Sequence, residues 1–230
     1  MWCGPKSKPG LETPRRWPRG PDSRPRRWWC VVGGEGGASL VEFTLVAGLL
    51  FTLVFGIVEF GLAFRDRLTV SNATQGAVRV GSALGSSDDS DFEVLLSLEQ
   101  SLSTLPNSGL DVIRFVDIFE ADAFGDPTSG CPGAGCNRYA YTPVPGPPCD
   151  WTPCPDPSLG VPAYGGAWVP SGRDDALPGL DVMGVQLTFS HTWVTGGIVP
   201  LPNVDCDGSP GSRCWADLAI MRIEPQVFEP

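Results

Sequence analysis

Apolar residues run unbroken in one part of the chain and alternate with polar ones further on. Between Ala38 and Phe64 the sequence reads ASLVEFTLVAGLLFTLVFGIVEFGLAF, 27 residues with two charges, Glu42 and Glu59. A helix of that length extends about 40 Å, enough to cross the roughly 30 Å hydrocarbon core of a bilayer with some tilt. A core helix of a soluble domain would keep a polar stripe, and this run has none. A secretory signal would have a shorter apolar stretch and a small-residue cleavage site behind it. Arg65, Asp66 and Arg67 close the run. The pattern then changes without a proline. RDRLTVSNATQGAVRVGSAL, residues 65–84, continues the helix in amphipathic form, and Gly85-Ser86-Ser87-Asp88-Asp89-Ser90 breaks it. In this outer half Ala73, Ala77 and Gly81 recur every four residues. Such a strip of small side chains lets another element approach the backbone closely.

After the break, Phe92–Leu105 has the apolar spacing of a short amphipathic helix, with Phe92, Leu95, Leu96, Leu98 and Leu102 apolar. Three stretches alternate as strands do: Leu110–Glu120, Leu180–Val194 and Ala216–Ile223. In the second, Val185, Leu187, Phe189 and Trp193 interleave with Gln186, Thr188, Ser190 and Thr192. These elements predict an α+β fold: a long N-terminal transmembrane helix that extends outward and packs on a small antiparallel sheet. Residues 125–178 interrupt the pattern and hold twelve of the 24 prolines. A segment of that length and composition reads as a functional loop or an insertion.

Charge divides the chain the same way. Residues 1–37 carry eight basic and three acidic side chains, +5 in all, and the remainder carries −15, giving the net −10. The basic leader is rich in proline and glycine and has no apolar periodicity, so it reads as disordered and as retained on the cytoplasmic side of the membrane, with the C-terminal part outside. The acidic remainder argues against nucleic acid as a partner. The organisation expected is therefore a leader at 1–37, a membrane helix at 38–64, its outward continuation at 65–85 and an extracytoplasmic α+β domain at 86–230 with the insertion at 125–178.

The eight cysteines follow that division. Cys3 and Cys30 lie on the leader, and Cys131, Cys136, Cys149, Cys154, Cys206 and Cys214 lie in the outer part. Two C-x4-C pairs have a spacing that a four-thiolate zinc site also uses, but outside the membrane disulfides form and persist. Local pairing, 131–136, 149–154 and 206–214, is the simplest arrangement, although six cysteines admit many other connectivities. Such bridges would staple a Pro/Gly-rich loop with little core of its own.

Catalytic chemistry finds little support. His191 is the single histidine, and no third partner stands near Ser190-His191 in the sequence. There is no Gly-rich phosphate loop after a strand and no G-x-S-x-G. Asp88-Asp89-Ser90-Asp91-Phe92-Glu93 and Asp205-Cys206-Asp207-Gly208 have calcium-like acidity without the twelve-residue loop pattern. Trp151 and Trp168 read either as recognition residues or as a cover folded onto the domain. Asn72-Ala73-Thr74 is a glycosylation sequon on a helix, where it reads as incidental. No cofactor or metal is expected, and the chain does not read as an enzyme.

The two intramembrane acids are costly in lipid and therefore candidate functional residues. Glu59 lies near the outer end of the span. Glu42 lies near its inner end, five residues after Gly37 and followed by Phe43. A glycine, four residues and then Glu-Phe at the head of an apolar helix resembles the processing site of type IV prepilins in the tight-adherence (Flp) variant. Cleavage between Gly37 and Ala38 would create a cationic amine that offsets a neighbouring subunit's carboxylate. Three motifs together resemble the N-terminal signature of the TadE-like family: Gly37–Phe43, GIVEFG at 56–61, and Asn72-Ala73-Thr74-Gln75-Gly76-Ala77-Val78-Arg79. This chain has Gly48 where that family often carries proline, and its leader is long. The resemblance implies a single-pass pseudopilin acting in assembly or initiation of a Flp-type pilus. Its implied partners are membrane lipid, other pilins, the pilus assembly machinery and a prepilin peptidase. The alternative is a membrane-anchored extracytoplasmic binding or adhesion module that never joins a filament.

Overall fold

The computed structural model describes residues 35–105, 109–142, 149–194, 206 and 212–225. Residues 1–34 of the basic leader, the prolines at 143–148 and most of the second cysteine loop lie outside the described residues. The chain divides into two compact units, 1–45 and 46–230.

Helix α1 runs Glu35–Leu84. It contains no proline, and its early part is rich in Leu, Val and Phe that pack equally well in lipid. It ends where Gly85 takes a left-handed conformation, φ +56°, which a Cβ would strain. The Gly85 amide donates to the Gly81 carbonyl at 2.9 Å, closing the last turn. Helix α2, Ser90–Leu102, follows at once, with Asp91 and Glu93 in its first turn where the helix dipole favours acids.

Five strands form one sheet: β1 Ile113–Glu120, β2 Cys136–Tyr141, β3 Trp151–Thr152, β4 Val182–Thr192 and β5 Ser212–Arg222. Their order is β3-β2-β1-β4-β5 and each pairing is antiparallel. One face carries Val116, Ile118, Tyr139, Val185, Leu187 and Phe189. It joins Val70, Ala73, Ala77 and Val78 of α1 and Val94, Leu95 and Leu98 of α2 in a single core. This is the expected α+β layout: a long apolar N-terminal helix, an antiparallel sheet, and disulfides at 131–136, 149–154 and 206–214.

The sheet is larger than the alternation implied. β2 and β3 come from the proline-rich insertion, which therefore supplies two strands in addition to loop. Residues 110–112, which the alternation assigns to the start of the first strand, belong instead to a 3-10 turn, Gly109–Val112. The outer face of β4 is also less open than strict alternation predicts, since Thr188 and Ser190 are buried as well as Leu187 and Phe189. Part of the cover is visible on that face. The guanidinium of Arg138 sits 4.1 Å from the Phe115 ring centroid and binds Asp117, and the register sets Phe115 opposite Thr188.

Candidate functional site

The residues singled out by sequence fall in four places. Gly37, Ala38, Glu42 and Phe43 lie on the first turns of α1, and all four are exposed. Gly36 and Gly37 are the least helix-favouring residues of that turn, each weaker than alanine by about 1 kcal/mol, so the Gly37–Ala38 bond sits where the helix opens most readily. Phe43 is 71 % exposed, and the side chains that follow it remain open: Leu49 71 %, Phe51 58 %, Val58 52 %. Gly37–Leu84 is long and apolar enough to cross a membrane, and none of its most apolar window is buried.

Glu59 differs from Glu42. It lies near the outer end of the apolar run, and only 1 % of its surface is exposed, so the folded chain itself encloses it. The enclosure begins where the pattern of exposure reverses. Ala63 and Val70 are buried, and so is the small-residue strip: Ala73 at 2 %, Ala77 at 0 %, and Gly81. A Cβ at Gly81 would meet the Met183 sulfur and the Val94 side chain. The element that approaches this strip is the chain's own α2 and β4. The close approach that its spacing permits is therefore made inside the domain.

A buried polar centre ties the insertion to α2. Asp91 and Arg173 form an ion pair with both side chains fully buried. Asp91 also accepts from the Tyr139 hydroxyl at 2.6 Å and from Asn137 Nδ2 at 2.9 Å. Arg173 donates to Ser90 Oγ and to the Trp168 carbonyl, and lies 4.2 Å from the Trp168 ring centroid. Burial, and then the Asp91 carboxylate beside it, push the Tyr139 phenol far above its usual range, so it is a permanent donor here. This removes the calcium reading for Asp91, whose oxygens are taken up by protein donors. Trp151 and Trp168 are 3 % and 6 % exposed and serve as cover, not as recognition residues. Pairing of Cys131 with Cys136 and of Cys149 with Cys154 leaves those four sulfurs without a thiolate to hold zinc. Of the acidic run at 205–208, only Cys206 lies within the described residues, and it is bonded to Cys214.

The fourth place, around His191, rests on a pairing that the local sequence does not show. His191, at the end of β4, has the partner that its local sequence lacks: its Nδ1 lies 2.8 Å from the Asp66 carboxylate on α1. The imidazole stacks on Trp215, centroids 5.5 Å apart, and meets Trp193 edge-on at 5.0 Å. Asp66 belongs to the charged triplet that closes the apolar run. The one available signal was that triplet, together with a lone histidine between tryptophans on neighbouring strands. Beside it opens a cleft of about 360 Å³ whose lining includes Leu62, Asp66, Asp111, Arg114, His191 and Val194. Further along α1, Asp217 of β5 accepts from Ser71 and faces Arg67, yet burial outweighs both and raises its carboxyl above the usual range.

These features do not assemble a nucleophile, a base and an oxyanion site among the described residues. They amount to an exposed apolar helix, a domain clasped on its far half, and a polar cleft at the join. Residues 37–79 match the model of the TadE-like protein family. No curated protein and no solved structure matches the chain.

Proposed function

We propose that this chain is a single-pass, TadE-like pseudopilin acting in assembly or initiation of a tight-adherence (Flp-type) pilus, with a structural and not an enzymatic role. The observation that carries this reading is the TadE-like match over residues 37–79, which supports a pilus-related role in general. It falls on a helix whose first half presents mostly apolar side chains, three hydroxyls (Ser39, Thr44 and Thr52) bonded at most to its own backbone, and one acid, Glu42, to its surroundings. The basic leader would stay in the cytoplasm and the domain would lie outside, as the charge asymmetry favours. The partners would be other pilins, the assembly machinery and a prepilin peptidase that cuts between Gly37 and Ala38. Glu42 would then face the new amine of a neighbouring subunit in low dielectric, where such a pair is strong enough to set register.

The intact mass of the protein from membranes of its native host tests the processing step. A mature chain beginning at Ala38 is expected. An intact leader in cells with active prepilin peptidase would sink it. Glu42→Ala is expected to abolish or strongly reduce piliation while leaving cleavage intact, and normal piliation would remove Glu42 from assembly. The alternative, an anchored binding module outside any filament, draws support from one observation. The strip Ala73, Ala77 and Gly81 is already occupied by the chain's own domain. An uncut chain with normal surface display of the domain would favour that alternative.

A further inference from the structure

We propose that the cleft beside His191 binds the headgroup of an aminophospholipid, with its primary ammonium held by Asp66, Asp111 and His191 and its phosphodiester by Arg114. The argument starts from the lining. The cleft, about 360 Å³, lies at the small end of ligand pockets, which run from about 300 to 1,000 Å³. Two carboxylates, one guanidinium and one imidazole converge on it. An anionic headgroup without an amine would bring its phosphate to Arg114 and leave two carboxylates facing more negative charge. A quaternary ammonium would satisfy the charge but has no N–H to donate. A headgroup with a primary ammonium and a phosphodiester complements both signs.

His191 supplies the second, independent observation. Its side chain is 5 % exposed, its Nδ1 is engaged by Asp66, and its Nε2 has no hydrogen-bond partner among the described residues. An unmet buried nitrogen costs about 1–3 kcal/mol, which a donor entering the cleft would recover. In the tautomer that donates Nδ1–H to Asp66 and carries no second proton, Nε2 is an acceptor suited to an ammonium. A recess of about 30 Å³ shares Asp66, Val112, Ser190 and His191 with the cleft and is completed by Val70, Leu105 and Phe189. This apolar backing strengthens any charge pairing in front of it.

Position decides between a lipid and a soluble ligand. Leu62 lies in the last turn of the apolar run, and Arg65, Asp66 and Arg67 follow it directly. Phe64 and Val194 beside them are 64 % and 72 % exposed. A helix that leaves the hydrocarbon at Phe64 puts the cleft at headgroup depth.

This inference rests on the membrane-anchored reading, which alkaline carbonate extraction tests separately: release of the chain from membranes would sink the anchor before any lipid is measured. The lipid test uses the full chain in mixed micelles holding equal amounts of phosphatidylethanolamine, phosphatidylglycerol and phosphatidylcholine, with retained lipid counted by native mass spectrometry. Preferential retention of phosphatidylethanolamine is expected. Asp111→Asn removes an exposed acid and leaves the core untouched, and it should lower that preference about tenfold, the equivalent of one charge-assisted hydrogen bond. Non-reducing mass mapping checks that the three disulfides of the variant are intact. Equal retention of the three lipids would overturn the proposal. So would a preference unchanged in both Asp111→Asn and Asp66→Asn, or a second polypeptide held in place of lipid.

Discussion

The first half of α1 and the domain around its second half solve opposite problems with neighbouring stretches of sequence. From Val46 to Val58 the helix carries the larger apolar side chains and leaves nearly all of them open. From Glu59 to Leu84 it carries alanine, glycine, threonine and serine, and buries one face of them. Hydropathy alone would rank the first stretch as core and the second as surface. Packing reverses that ranking, because a protein core needs close approach and shape, whereas a lipid core needs only the absence of polar groups. The two acids show the same contrast. Glu42, ahead of the first stretch, is exposed, and Glu59, where the second begins, is enclosed.

The contrast breaks most sharply at the buried ion pair. Asp91→Ala would leave the Arg173 guanidinium fully buried without its counter-charge, and would strand the Tyr139 hydroxyl and the Asn137 amide. Removing one partner of such a pair costs about 3–5 kcal/mol, a large share of the stability of a small domain. The expected outcome is a domain unfolded or nearly so in urea titrations followed by tryptophan fluorescence, in a chain that still resists carbonate extraction. A loss below about 1 kcal/mol would mean that the insertion is not anchored through this pair.

Glycine on the two stretches gives the next effect. A Cβ at Gly56 meets nothing within 4 Å, whereas at Gly81 it meets Met183 and Val94. Gly81→Leu should cost about 1–3 kcal/mol through overpacking. Gly56→Leu should stay within about 0.5 kcal/mol of the parent, since the larger side chain enters open space. Equal destabilisation by the two would show that protein, and not lipid, covers the first stretch.

Which parts were legible follows the range of the forces involved. The apolar run, its charged end, the second helix and three strands are local patterns, and each overlaps the stretch that the periodicity marks, with ends shifted by up to four residues. The disulfides pair cysteines five and eight positions apart, so sequence proximity found them. The β2 and β3 strands were hidden because prolines, glycines and cysteines interrupt the period, and β3 is two residues long. Asp91 and Arg173 stand 82 positions apart, and Asp66 and His191 stand 125 apart. Nothing local marks either pair, because each side chain is unremarkable until the sheet brings its partner to it. The acidic run at 88–93 looked like a cation site for the same reason: its counter-charge arrives from the insertion.

Asp217 offers the finest test, on the sheet edge that faces the second stretch. Its carboxyl is raised by burial more than the Ser71 hydrogen bond and the Arg67 charge lower it. The folded chain therefore holds this proton more tightly than the unfolded one. Stability falls as pH rises from the ordinary carboxylate value near 3.8 through the raised one. Asparagine keeps an acceptor for Ser71 and never ionises. Asp217→Asn should thus be slightly more stable at neutral pH, by no more than about 0.5 kcal/mol at this partly exposed position. The gain should vanish once the pH falls below the ordinary carboxylate range. The effect of this substitution is opposite in sign to that of Asp91→Ala, which strands a buried guanidinium. A less stable Asp217→Asn at neutral pH would mean that Arg67 and Ser71 hold the sheet to the helix through charge. The predicted small gain would leave apolar packing of the small-residue face as the force that joins them.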